Sequence, residues 1–316
     1  MTDQTRRDTA HLPAPAQAPH FTRRGLMGAA LSGALFTFAA APEAIAAGAP
    51  APAPAKRIVV AGGALTEIAY ALGQADRIVG VDTTSTFPAQ AQKDKASIGY
   101  VRQLSPEGIL SLQPDVLLLQ EGGGPPEALT LVSQAGVRIV RAPEAATEQG
   151  VLDRIATVGA VTGAQDAAGK LEQQVRDKFA ALAEKRKKIT KPARVMFILS
   201  LQNGRPLVGG AGASADGMIR LAGGENVASG FQGYKPMTDE AVIEAAPDVI
   251  LMMRGGPRQH AAGDVFKAPA LSATPAAKTQ RLVSLDGLYL LGFGPRAPDA
   301  ALEVFNALYP ELKEAR

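Results

Sequence analysis

The sequence predicts an α/β protein of two related lobes, each built on a mostly parallel sheet, joined by a long bridging helix with a ligand cleft between them. Three observations carry that prediction. Short apolar runs alternate with short helical segments over residues 56–146. A proline-free stretch of helical periodicity follows over residues 147–190. The alternating texture then returns over residues 191–316, and part of it repeats the first half. Strands alternating with helices are the pattern of a parallel sheet covered on its faces.

The elements follow in chain order. Arg23-Arg24 precedes an uncharged stretch, Gly28 to Pro42, and Ala44-Ile45-Ala46 is an A-x-A site. Residues 1–46 are therefore expected to be a twin-arginine-type export signal cleaved after Ala46, and residues 47–55 a flexible leader. The uncharged stretch is shorter than the roughly 20 residues that span a bilayer. Arg57 to Ala61 is a buried strand, Gly62-Gly63 a turn, and Thr66 to Leu72 a helix ended by Gly73. Arg77 to Asp82 is the next strand, Pro106 to Leu112 a helix, and Asp115 to Leu119 a strand. Gly122 to Pro126 is a loop, Pro125 to Gln134 a helix, and Val137 to Val140 a strand. Thr147 to Lys188 reads as two helices, or as one broken at Gly159 to Gly163; its later part is rich in strong helix formers. In the second half, Ala193 to Leu199 and Asp248 to Met253 are strands, and Asp216 to Ala222 is a helix ended by Gly223-Gly224.

The repeat is gapless. Leu104-Ser-Pro-Glu-Gly-Ile-Leu-Ser-Leu-Gln-Pro-Asp-Val116 aligns with Met237-Thr-Asp-Glu-Ala-Val-Ile-Glu-Ala-Ala-Pro-Asp-Val249. Each half gives an apolar residue, a Ser or Thr cap, a glutamate, a short helix and Pro-Asp-Val before an apolar strand.

Composition excludes several classes. The 316 residues are 46% hydrophobic and 20% charged, ordinary for a globular chain. A formal net charge of +3 gives no nucleic-acid footprint. The chain has no cysteine, which excludes disulfides, thiolate metal sites, a cysteine nucleophile and a lipid anchor on cysteine. There is no G-x-x-x-x-G-K-[ST], no H-E-x-x-H and no G-x-S-x-G. Of the histidines, only His260 lies beyond the expected signal.

Three segments carry a resemblance. Gly99-Tyr100-Val-Arg102-Gln-Leu-Ser-Pro-Glu, Gly233-Tyr-Lys-Pro-Met and Gly287-Leu-Tyr-Leu-Leu-Gly-Phe-Gly-Pro-Arg296 resemble signatures of the haem-binding proteins of bacterial haemin ABC importers. That family belongs to the wider group of cobalamin- and siderophore-binding proteins, whose two lobes share a bridging helix and move little. The resemblance implies a periplasmic, non-enzymatic monomer that binds haem. Its partners would be a membrane permease and its ATPase, with room for an outer-membrane haem receptor upstream.

The resemblance also implies roles for residues. Tyr100 would be the haem-iron ligand, since tyrosine is among the residues that hold haem iron, and Arg102 would favour its anion. Arg102 falls on the same side as Tyr100 where the segment is extended. Arg254, at the end of a strand, would meet a propionate or the phenolate. Tyr234, Met253 and Tyr289 would line the haem face. Glu107 and Glu240, equivalent in the two halves, would dock on the permease, one from each lobe. Some members carry a second ligand, a histidine, in the loop after the strand Val195 to Leu199. Here that loop reads Ser200-Leu-Gln-Asn-Gly204, which favours five-coordinate haem held by Tyr100 or a weak ligand from elsewhere; His260, in a loop after a strand, could approach the cleft but reads first as a solvated loop histidine. A ferric siderophore or cobalamin in the same fold, and a periplasmic haem-modifying enzyme, are the alternatives.

Overall fold

A computed structural model describes residues 53–202, 205–254 and 265–313. The expected export signal, most of the leader, and His260 lie outside the described residues.

The first sheet has the order β3-β2-β1-β6-β7 and is parallel throughout. Its strands are β1 (Ile58–Ala61), β2 (Ile78–Val81), β3 (Ala96–Ser97), β6 (Val116–Gln120) and β7 (Arg138–Ala142). A two-stranded hairpin, β4 (Gly99–Tyr100) and β5 (Gln103–Leu104), stands beside it. The helices of this half are α1 (Gly63–Ala71), α2 (Gln90–Asp94), α3 (Pro106–Ser111) and α4 (Pro126–Gln134). Side chains alternate across the strands. Ile58, Val60, Val116 and Leu118 pack into one cluster, whereas Val59, Ala61, Leu117 and Leu119 pack into another. Burial of both faces is why these strands read as unbroken apolar runs.

Two helices connect the halves, α5 (Glu148–Thr162) and α6 (Gln165–Arg186). The break lies at Gly163, which takes the left-handed conformation with φ 72° and closes α5. Gly159 stays inside α5. A Cβ there would come within 2.6 Å of the Ala168 Cβ, so glycine lets the two helices approach closely. Ala55, expected at the end of a flexible leader, is already part of the fold: it is buried, and its N–H donates to Val161 O at 3.1 Å.

The second sheet has the order β11-β9-β8-β12-β13, with β10 also pairing with β8. Its strands are β8 (Arg194–Gln202), β9 (Arg205–Gly209), β10 (Glu225–Asn226), β11 (Tyr234–Pro236), β12 (Val249–Arg254) and β13 (Leu282–Asp286). β8, β12 and β13 run parallel, whereas β9 is antiparallel to β8 and to β11. The strand expected to end at Leu199 thus runs on to Gln202 and pairs back on β9, so Ser200 to Gln202 are strand and not loop. The helices here are α7 (Ser214–Leu221), α8 (Asp239–Ala245), α9 (Pro269–Ser272), α10 (Pro275–Lys278), α11 (Gly287–Leu291) and α12 (Ala297–Leu308).

The internal repeat holds at the level of single hydrogen bonds. Ser105 caps α3 by accepting from Gly108 N, and Thr238 caps α8 by accepting from Ala241 N. Gln113 and Ala246, aligned in sequence, both have positive φ, at 47° and 41°. Asp115 accepts from the backbone N–H groups of Lys56 and Arg57, and its counterpart Asp248 accepts from that of Arg194. The Arg57 guanidinium donates to Leu112 O and Gln113 O, and that of Arg194 to Ala245 O and Ala246 O. In each half an Asp and an Arg tie the end of the short helix to the first strand of the sheet.

One apolar cluster runs through both lobes. It joins Val60, Leu65 and Ile68 to Ile155 and Phe179 of the connecting helices, and on to Phe197, Val304 and Phe305. Among the described residues no helix is long and apolar enough to cross a membrane.

Candidate functional site

Both sheets present the carboxyl ends of their parallel strands to one cavity of about 380 Å³. That is where open α/β sheets place ligands, and the volume lies in the usual range for small-molecule pockets. The first lobe contributes Ala64, Thr84, Tyr100, Val101, Arg102 and Gln120. The second contributes Met253, Arg254, Asp286, Leu288 and Leu291.

Tyr100 is held by a tight hairpin. It pairs with Gln103, which leaves Val101 and Arg102 as the two turn residues. Arg102 therefore reaches the cavity through a turn and not, as expected, by alternation along an extended strand. Val101 is buried and anchors the hairpin in the apolar cluster outside the first sheet. Gly124 clamps it on both sides: its N–H donates to Val101 O at 3.0 Å, and its carbonyl accepts from Leu104 N at 2.9 Å. The last residue of the glycine run 122–124 thus holds the hairpin. Tyr100 itself is 44% exposed, a large aromatic left open to the cavity.

The wall beside Tyr100 is built on a buried carboxylate. Asp82, fully buried, accepts four hydrogen bonds: Gly62 N (2.9 Å) and Ser85 Oγ (2.9 Å) at Oδ1, Thr84 N (2.9 Å) and Thr84 Oγ1 (2.6 Å) at Oδ2. Thr84 Oγ1 in turn accepts from Gly63 N at 3.0 Å. The start of α1 and the loop after β2 are thereby fixed to each other, and both face the cavity. Gln120 at the end of β6 donates its amide to Glu144 Oε1 at 2.9 Å.

Four of the residues expected at the site meet there: Tyr100 and Arg102 from one lobe, Met253 and Arg254 from the other. Tyr234 and Tyr289 are not among the residues lining this cavity. Tyr234 pairs with Gly209 on β9 and packs edge-on against Phe197, with centroids 6.3 Å apart. Burial pushes its phenol up, a hydrogen bond from the Ala215 backbone opposes that, and the charges of Glu144 and Arg102 act in opposite senses. Tyr289 lies 5.2 Å from the Arg296 guanidinium; burial, with Glu303 and Asp299 nearby, raises its phenol to about 12.

Glu107 and Glu240 are exposed in the first turns of α3 and α8. Hydrogen bonds from its own backbone and from Thr238, with the charge of Arg205, hold Glu240 below the usual carboxylate range. Sequence reasoning missed Thr84, Gln120, Leu288 and Leu291. Gln120 directly follows the expected strand Asp115 to Leu119, so the strand-end rule was the signal that could have found it.

Comparisons with known proteins bear on the fold and the family. A solved periplasmic heme-binding protein, BhuT in complex with two hemes, is 39% identical with a TM-score of 0.76, covering 82% of this chain and 99% of that one. The periplasmic heme-binding protein RhuT from Roseiflexus sp. RS-1, in apo form, is 36% identical with a TM-score of 0.77, over 82% and 99% of the two chains. A cobalamin-binding protein of Halobacterium salinarum is 26% identical over 260 residues, covering 80% of this chain and 69% of its own length. The family and these relatives are binding proteins, not enzymes. With the periplasmic binding protein model matching residues 58–288, the chain belongs to the periplasmic binding protein family.

Proposed function

We propose that this binding protein takes up haem in the inter-lobe cavity, with Tyr100 on the iron, and delivers it to the permease of an ABC importer. The carrying observation is the juxtaposition of Tyr100 with an arginine from each lobe, Arg102 and Arg254, around one cavity. Haem is a flat apolar ring with two carboxylates and a hard ferric ion. Ala64, Val101, Met253, Leu288 and Leu291 offer apolar surface to the ring. The guanidiniums suit a carboxylate or a phenolate oxygen, and a tyrosine is an established protein ligand for haem iron. The likeness to two heme-binding structures at 39% and 36% identity supports the same reading.

A corrinoid is the second reading, favoured by the cobalamin-binding relative. Its periphery carries amides where haem carries carboxylates, so two facing guanidiniums gain it less. Glu107 and Glu240 would dock on the permease, and the segment 1–46 would direct export to the periplasm.

The test is a titration of the mature protein with ferric haemin, and separately with cyanocobalamin, followed by absorption. Saturable haemin binding with a phenolate-to-iron charge-transfer band, lost in Tyr100→Ala, is the expected result. Saturable binding that Tyr100→Ala leaves unchanged would move the ligand elsewhere, with His260 tested next. Binding of cyanocobalamin but not of haemin would replace the haem reading with the corrinoid one.

A further inference from the structure

The segment from Gly287 to Arg296 does two jobs. Its first part, Gly287, Leu288, Leu291 and Gly292, lines the ligand cavity from the second lobe. Its last part is fastened to the first lobe and to α5 by charged side chains, of which Glu67 and Arg154 are buried and Arg296 is 28% exposed. Arg296 Nε donates to Glu67 Oε1 at 2.9 Å and Nη2 to Glu67 Oε2 at 2.8 Å, a two-pronged ion pair. Glu67 lies on α1 and is 5% exposed. The same guanidinium lies 3.6 Å from the ring centroid of Phe87, in the loop after β2. A Cβ on Gly294 would come within 3.2 Å of the Glu67 carboxyl carbon, so the chain passes close over the pair. Beside it, Arg154 of α5 donates to Gly292 O at 3.0 Å and Phe293 O at 2.8 Å.

This arrangement differs from another ion pair that reaches the second lobe. Lys178–Asp299, at 2.7 Å, is open to solvent on both sides, at 52% and 39%. Exposed pairs of that kind fix little. Breaking the two-pronged pair would leave the buried Glu67 carboxylate without its partner, so it fastens more firmly than an exposed pair.

We propose that Glu67 and Arg296 are the positioning pair that sets the width of the ligand cleft. The pair touches no ligand. It acts by holding the cavity's second-lobe wall, Leu288 to Gly292, at a fixed distance from the start of α1. Without it the wall samples several separations. If a binding-competent separation is then populated about a third of the time, ligand affinity falls roughly threefold.

The test needs no ligand. The chain has no cysteine, so spin labels on Ser133→Cys in α4 and Glu244→Cys in α8, both exposed positions, report one inter-lobe distance by double electron–electron resonance. In Glu67→Gln and in Arg296→Gln the distance distribution should broaden roughly twofold. The double variant should match the singles, because one interaction is being removed. Lys178→Gln should leave the distribution as it is in the wild type. A wild-type distribution in folded Glu67→Gln, whatever its melting temperature, overturns the proposal, because the pair would then be stabilising without positioning. If Glu67→Gln does not fold, Arg296→Lys keeps the charge and gives up the two-pronged geometry; broadening supports the proposal and an unchanged distribution overturns it. Since haemin is absent, failure of the haem reading and failure of this one are separately visible.

Discussion

Replacing Asp82 by asparagine tests whether the cavity wall rests on one buried carboxylate. The side chain is fully buried and accepts four hydrogen bonds, two at each oxygen. Two of the donors, Ser85 Oγ and Thr84 Oγ1, are hydroxyls that can turn and accept instead. The other two, the N–H groups of Gly62 and Thr84, can only donate. An asparagine keeps one oxygen, so whichever way its amide turns, one of those N–H groups faces an NH₂. An orphaned buried donor costs about 1–3 kcal/mol, and the surviving bonds lose their charge assistance, about another 1 kcal/mol. Asp82→Asn should therefore lose about 2–4 kcal/mol in urea unfolding at unchanged m-value. Ligand affinity should fall with it, since Thr84 lines the cavity. A loss below about 1 kcal/mol with unchanged affinity would refute the reasoning, because the hydroxyl and amide groups would then have found other partners.

Three further outcomes follow from the same geometry. Gly63→Ala would drive a Cβ into Thr84 O and to 2.7 Å from Leu288 Cδ1; it should cost about 1–3 kcal/mol in chemical denaturation and weaken ligand binding. Hydrogen bonds from the Arg57 and Lys56 backbone hold the Asp115 carboxyl below its ordinary value, so its contribution is present above the unfolded-state carboxylate range and lost as pH falls through the folded one. The melting-temperature gap between wild type and Asp115→Asn should be full near neutral pH and close on acidification. On the proposed docking scheme, Ala at both Glu107 and Glu240 should abolish stimulation of the importer's ATPase and leave haemin titration unchanged, since neither residue, each in the first turn of its helix, lines the cavity.

How much could be read in advance depended on range. The strands Ile58–Ala61, Val116–Gln120 and Val249–Arg254 are buried on both faces, so each is visible as an apolar run. The lobe repeat was visible because cap, helix and Pro-Asp-Val lie close together in the chain, and the paired Asp and Arg contacts explain why that spacing is kept. The edge strands were not visible. Tyr234–Pro236 has no alternation of buried and exposed positions to detect, and it contains a proline. The hairpin at Tyr100 has two-residue strands, too short for any period. The Glu67–Arg296 pair joins residues 229 apart in sequence, and nothing local to either residue marks the other.

The shared core bears on how such a protein can discriminate its ligand. A receptor whose lobes swing widely can close on several shapes and select by the contacts it gains. Here one apolar cluster passes from the first sheet through α5 and α6 to the second, and opening the lobes would tear packed side chains apart at about 25 cal/mol for each Å² exposed. Selection must then come from a cavity already close to its final shape, which lowers the ordering cost of binding. In that regime a small change in lobe spacing matters more than a lost contact at the rim. It shifts Tyr100 and Arg102 relative to Met253 and Arg254, and in the same movement shifts α3 relative to α8. On the proposed docking scheme, the fastening that shapes the cavity would also fix the separation of Glu107 and Glu240. Measuring haemin affinity and importer stimulation in Glu67→Gln would show that coupling as a joint loss, whereas loss of affinity with full stimulation would mean that the cleft and the docking faces are set independently.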